Sequence, residues 1–374
     1  MVVPAPPPTR SSQGSRTSWV FAICLAAGFC IGCLFTEKME VSVLTVLPST
    51  RVNLKTISTG SSSSSGRSSH HREPVALPTF DEGGVVLFFH VAKTGGTSIR
   101  TIFSDKNLHP NVYLETAYNG TAFLQQGALI DRILTKNTTV PIGKNVLFLE
   151  THGLSAPALP FLHPFIQKWK AMATEHNTSF FAFTLVRDPV SYAVSYFNFF
   201  NADPCTLPFC PWRLYNPTEG NLVQTTEANN QCLLMARDHW GIFFLDNRTA
   251  PSERECNLVY DTLLQDMDWI GTTEKMSSET IPLLTYMLTH NMTRANTALP
   301  AFNVMNATKN QSVILHKSAL SEFTVDYIRS LSYLDQEMHN RAERDFYLGM
   351  YLEVGGEGRH RSRRRSLRKR LTRP

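Results

Sequence analysis

The sequence predicts an α/β fold, a parallel β-sheet flanked by helices, from three observations. Short apolar runs recur at 85–91, 145–149 and 180–186, the length and composition of strands buried on both faces. The segments between them, near 97–104, 121–135 and 161–175, carry helical periodicity. The first and third runs stop abruptly at residues suited to anions, Lys93 to Ser98 and Arg187. Ligands of a parallel sheet collect at the carboxyl ends of its strands.

At 374 residues and 42% hydrophobic content the chain can bury a full core. The simplest division is one catalytic domain at 83–358 with appendages. The net charge of +5 is misleading, because residues 359–374 carry nine Lys/Arg and no acid, which leaves −4 for everything before them. A mildly acidic core argues against nucleic acid as a partner. The tail itself is either solvated and disordered or a contact for an acidic polymer such as an anionic polysaccharide.

Residues 1–18 are Pro/Ser-rich with Arg10 and Arg16 and no acid, and residues 19–35 are apolar or small without a charge. This run is just long enough to span a thin bilayer, and the preceding arginines place the N-terminus in the cytosol. The expectation is a transmembrane signal anchor at 19–35 behind a cytoplasmic tail at 1–18, with the bulk of the chain in the lumen. A cleaved signal peptide and an organelle transit peptide are the rival readings. Residues 36–82 read as a Ser-rich stem, its tract Gly60-Ser61-Ser62-Ser63-Ser64-Ser65-Gly66 being flexible linker material. Seven N-glycosylation sequons begin at Asn119, Asn137, Asn177, Asn247, Asn291, Asn306 and Asn310 and fit a lumenal glycoprotein. Cys205, Cys210, Cys232 and Cys256 suggest two disulfides in that compartment. Three connectivities are open, with Cys205–Cys210 and Cys232–Cys256 favoured. A zinc site competes, but the spacings are not paired CxxC. Beyond 257 the chain looks mainly helical, with periodic segments near 278–289 and 318–346.

The first run ends in Lys93-Thr94-Gly95-Gly96-Thr97-Ser98. Paired glycines permit a tight turn and close backbone approach to a ligand. Strand, Gly-rich turn and helix start together make an anion cradle of free N–H groups and helix dipole. Lys93 adds a positive charge, and Thr97 and Ser98 add hydroxyls, either of which could cap the helix. The loop is suited to the phosphate of a nucleotide-type donor. A nucleoside-triphosphate loop would read GxxxxGK[ST], with Lys after the glycines, whereas Lys93 precedes Gly95 and Gly96. His90, within the strand, reads as a structural histidine.

The third run ends in Arg187-Asp188-Pro189, and Pro189 suits the first turn of a helix. Ser191 and Ser195 then lie one turn apart on one face. An Arg fork beside a serine hydroxyl makes a pocket for a second phosphate; an Arg–Asp structural pair is the plainer alternative. Tyr192, Tyr196, Phe197, Phe199 and Phe200 read as core packing, with stacking on a sugar or adenine the alternative.

The two elements together, about ninety residues apart, resemble the membrane-bound Golgi carbohydrate sulfotransferases. The likeness is closest to the heparan sulfate and uronyl 2-O-sulfotransferase branch. It is firm over 85–100 and 180–200 and looser as far as about 350. It implies a P-loop-NTPase-like sulfotransferase fold, a single-pass type II Golgi protein and 3′-phosphoadenosine 5′-phosphosulfate as co-substrate, with no metal. It implies that Lys93, Thr94, Gly95, Gly96, Thr97 and Ser98 bind the 5′-phosphosulfate, and Arg187 and Ser195 the 3′-phosphate. Residues 268–274 resemble the family's later strand and turn, and residues 306–309 a late loop that brings Thr308 or Lys309 to the donor. Glycans on Asn306 or Asn310 would crowd that pocket, so these two are expected to be unmodified.

Sulfuryl transfer needs a base for the acceptor hydroxyl, charge stabilisation and in-line geometry. Lys93 can neutralise the leaving phosphate. The run 145–149 leads into Glu150-Thr151-His152, and the related branch carries a catalytic His after its matching strand, so His152 is the expected general base. That branch has a tandem His-Gly-His where this chain has one His, which makes Glu150 the alternative base. The acceptor is expected to be a carbohydrate hydroxyl. Two other functions compete. A nucleotide-dependent phosphotransferase would show Mg-ATP turnover, and a non-catalytic lumenal glycan-binding protein would bind anionic glycan without the nucleotide.

Overall fold

A computed structural model describes residues 77–117, 120–140, 143–152, 159–202, 215–237, 250–290 and 314–346, and of residue 152 only the backbone. The expected span at 19–35, Cys205, Cys210, Thr308, Lys309, the sequons at Asn119, Asn247, Asn291, Asn306 and Asn310, and the tail 359–374 lie outside the described residues. Among the described residues no helix is long and apolar enough to cross a membrane.

The fold is α/β, as the sequence predicts. Strands β1 (Gly84–His90), β2 (Val112–Ala117), β3 (Val146–His152), β4 (Ser179–Val186) and β5 (Trp269–Thr272) form one sheet in the order β2-β3-β1-β4-β5. Every pairing is parallel. All seven residues of β1 are buried, as expected of a central strand covered on both faces. Phe88 stacks on Phe183 of β4 with ring centroids 4.6 Å apart. The chain leaves β1 toward β2 on one side and leaves β4 toward β5 on the other. The switch point therefore falls between β1 and β4, and in an open parallel sheet the ligand crevice lies at such a point, outside the carboxyl ends.

The connecting helices are α1 (Gly96–Ser104), α2 (Gly120–Leu134), α3 (Leu159–Glu175) and α4 (Pro189–Tyr196), close to the expected segments. A π-helical turn, Phe197–Asn201, follows α4. Then come α5 (Glu219–Thr225), α6 (Asn230–Ala236) and α7 (Glu253–Asp266), the last opened by a capping box between Ser252 and Glu255. A second π-helical turn, Met276–Thr280, leads into α8 (Ile281–Thr289), and α9 (Glu322–Leu331) and α10 (Tyr333–Asp345) close the described chain.

Three expectations need correction. The segment 318–346 is two helices, broken at Ser332, whose ψ of 34° leaves the helical range. β2 was not expected, because Val-Tyr-Leu-Glu-Thr-Ala on a half-exposed edge lacks a continuous apolar run. The folded part also begins before residue 83, because Phe80 is buried in the core and Leu77 packs against it.

The Cys232–Cys256 disulfide is present and ties α6 to α7. Asn137 and Asn177, the two sequon residues described, are both exposed. They precede β3 and β4, so they lie toward the amino ends of the strands, away from the crevice.

Candidate functional site

Between β1 and α1 the chain turns by placing Lys93 at φ 68° and Gly95 at φ 97°. A lysine held in the left-handed region is strained by roughly 1–3 kcal/mol, a kind of strain that clusters at functional sites. The buried Thr94 closes the turn, its N–H and hydroxyl donating to the Val91 carbonyl at 3.2 and 2.8 Å. Thr94 is thus committed to shaping the loop. Gly95 is the N-cap of α1 and no side chain caps the helix. Thr97 and Ser98, considered above as caps, instead lie within the first turn. Their N–H groups have no intrahelical acceptor and carry the positive end of the helix dipole.

His90 holds this turn from below. Its Nε2 accepts the N–H of Gly96 at 3.1 Å, which places the proton on Nδ1, and Nδ1–H donates to Glu150 Oε1 at 2.7 Å. Arg100 of α1 reaches the other Glu150 oxygen, Nε to Oε2, at 3.3 Å. Burial, reinforced by the charges of Arg100 and Lys93, pushes the His90 pKa down to about 3, so the ring is neutral. His90 is structural, as its position suggests. Glu150 is fully buried and committed to His90 and Arg100.

Arg187 follows β4 on the other side of the crevice. Its Nη1 donates to the Lys93 carbonyl at 3.0 Å, which joins the two predicted elements in one site. Its Nε is buried without a partner among the described residues. Burial pulls the guanidinium below its usual pKa, yet it remains a cation. Asp188 is no ion-pair partner of Arg187. It caps α4 through the Ser191 N–H at 2.9 Å and accepts from Lys317 Nζ at 2.6 Å. The Ser191 hydroxyl also donates to Asp188, whereas that of the half-buried Ser195, one turn on, has no partner among the described residues.

The Lys93 ammonium sits over the ring of Phe199, 3.6 Å from its centroid. Burial, with Arg187 nearby, lowers its pKa to about 8. Tyr192, Tyr196, Phe197 and Phe200 are buried, in keeping with core packing, while Phe199 is exposed. Phe199 belongs to the first π-helical turn and Met276 to the second, and Met276 packs on the loop, its Sδ 2.9 Å from where a Cβ on Gly95 would lie. Both π turns therefore press side chains against the same loop, in keeping with the association of such turns with functional sites.

His152 ends β3 in register with His90, so its backbone stands at the carboxyl edge, one strand from the loop. Sequence reasoning missed Phe199 as a loop contact, Met276, Lys317 and Gln231. Only Phe199 had a signal, as one member of an aromatic cluster. No protein-family model matches the chain, and no curated protein matches it.

Proposed function

We propose that the protein is a carbohydrate O-sulfotransferase, moving a sulfuryl group from 3′-phosphoadenosine 5′-phosphosulfate to a sugar hydroxyl. The reading rests on the 3.0 Å hydrogen bond from Arg187 to the Lys93 carbonyl. It brings a Gly-rich anion cradle and a second cationic pocket together at the switch point of a parallel sheet, as a nucleotide with two separated phosphates requires. The sheet order and the Lys-before-Gly loop support a P-loop-NTPase-like fold of the sulfotransferase kind.

In this reading the Gly95, Thr97 and Ser98 N–H groups and Lys93 bind the 5′-phosphosulfate and offset charge on the leaving phosphate. Arg187 and Ser195 bind the 3′-phosphate. Lys317, within reach of Asp188 and Ser191, adds a cation there, eight residues beyond Lys309. His152 takes the proton of the acceptor hydroxyl from the neighbouring strand end. The disulfide and the exposed sequons support a Golgi lumenal setting behind a type II anchor.

The test is incubation of the full chain with sulfur-labelled donor and a panel of desulfated polysaccharides, followed by disaccharide analysis. Label in one disaccharide class is expected. Mg-ATP turnover without sulfate transfer would instead establish a phosphotransferase, and binding to anionic glycan but not to immobilised 3′,5′-adenosine bisphosphate would establish a glycan-binding protein.

A further inference from the structure

Arg187 can serve a ligand only if its backbone is held where the sheet ends, and the sheet does not hold it. The last β4–β5 pair is Val186 with Thr272, and the Val186 carbonyl is taken by Thr273. The N–H and C=O of Arg187 both turn to Gln231 of α6. The Arg187 N–H donates to Gln231 Oε1 at 2.8 Å, and Gln231 Nε2–H donates to the Arg187 carbonyl at 2.8 Å. A carboxamide sets an acceptor oxygen beside a donor NH2, so it completes a peptide group as a neighbouring strand would. Gln231 is fully buried, which leaves no water to take its place.

Gln231 is itself held from three directions. The buried Asp335 carboxylate in the first turn of α10 accepts the N–H groups of Gln231 and Cys232, both at 2.9 Å. In return Asn229, the N-cap of α6, accepts the N–H of Leu334 at 2.9 Å and that of Asp335 at 3.3 Å. The two helix starts thus cap each other. The Cys232–Cys256 disulfide then fastens the next residue to α7.

We propose that Gln231 is a positioning residue of the anion site, acting through Arg187 to set the pocket for the second phosphate. This rests on the donor reading given above. It makes a claim that a general structural role does not: Gln231 governs discrimination between nucleotides with and without a 3′-phosphate, and weighs less on the 5′-phosphate cradle, which Arg187 meets through the Lys93 carbonyl.

The experiment measures affinity of the full chain for 3′,5′-adenosine bisphosphate and for adenosine 5′-monophosphate. Wild type is compared with Gln231→Met, nearly isosteric but unable to bond, and Gln231→Leu, shorter and equally unable to bond, neither adding a charge. Wild type should prefer the bisphosphate. Gln231→Met should lose about tenfold on the bisphosphate and clearly less on the monophosphate, with Gln231→Leu alike. Should Gln231→Met fail to fold, Gln231→Leu carries the comparison alone. A preference preserved in the variants, or an equal loss on both nucleotides, overturns the proposal and leaves the donor reading standing. Absence of any preference in wild type overturns the donor reading, and this proposal with it.

Discussion

His90 and Gly96 occupy one space: a Cβ on residue 96 would lie 2.0 Å from Cε1 of the His90 ring. The anion loop can therefore close over the histidine only because residue 96 has no side chain. Gly96→Ala should destabilise the protein by about 1–3 kcal/mol, the range for overpacking a filled core, and should weaken nucleotide binding. The clash is with one ring, so the penalty of Gly96→Ala should shrink in a His90→Ala background. Denaturant melts of the two single variants and the double variant measure that coupling. Strictly additive losses would show that the ring does not set the loop.

Lys93 predicts a pH dependence. Its pKa of about 8 lies below the ordinary lysine value because burial, then the charge of Arg187, disfavours the ammonium. A bound anion favours the ammonium, so above pH 8 binding must take up a proton. Affinity for 3′,5′-adenosine bisphosphate should be level near pH 7 and fall as pH rises through 8, by at most about tenfold per unit. Phosphate ionisation is largely complete by then, its second pKa lying near 6. Titration calorimetry from pH 7 to 9.5 measures the slope, and Lys93→Met should abolish it along with much of the affinity.

The disulfide predicts a dependence on redox conditions. Cys232 and Cys256 are 24 residues apart, and closing a loop of that size stabilises by roughly 3 kcal/mol in the chain-entropy account. Cys256→Ser should lower stability by about that amount in a denaturant melt. Reductant should lower wild type by at least as much, and should lower the variant less, by no more than a Cys205–Cys210 bridge contributes.

What was legible in the sequence follows from how local each signal is. β1, β3 and β4 are continuous apolar runs and stand out without any partner in view. β5 has only four residues, and its place was visible only through the resemblance at 268–274. The loop at 93–98 and the turn at Arg187 are compact in sequence, so their chemistry could be read directly. That Arg187 bonds the carbonyl of Lys93 rather than Asp188 could not, because it depends on the order of strands. Gln231 lies 44 residues from Arg187 and within an ordinary short helix, and only folding gives it a task. The break at Ser332 has neither Gly nor Pro to announce it; it is set by Asn229, whose side chain caps the helix that begins there.

The choice between His152 and Glu150 as base is the last prediction. A general base must reach the acceptor hydroxyl within hydrogen-bond distance. Glu150 is fully buried, with Oε1 2.7 Å from His90 Nδ1 and Oε2 3.3 Å from Arg100 Nε. Moving it toward an acceptor would break both contacts and release the ring that supports Gly96. His152 ends the same strand at the carboxyl edge of the sheet and carries no such duty to the loop in its backbone pairing. His152→Ala should therefore keep bisphosphate affinity while turnover falls by about 10²- to 10⁴-fold. Glu150→Gln keeps an acceptor for His90 but loses the charge facing Arg100. It should lose about 1–3 kcal/mol of stability and retain turnover per folded molecule. Sulfate-transfer rates normalised to folded fraction decide between them. Normal turnover in His152→Ala with none in Glu150→Gln would move the base to Glu150 and require the His90–Glu150–Arg100 cluster to open during the reaction.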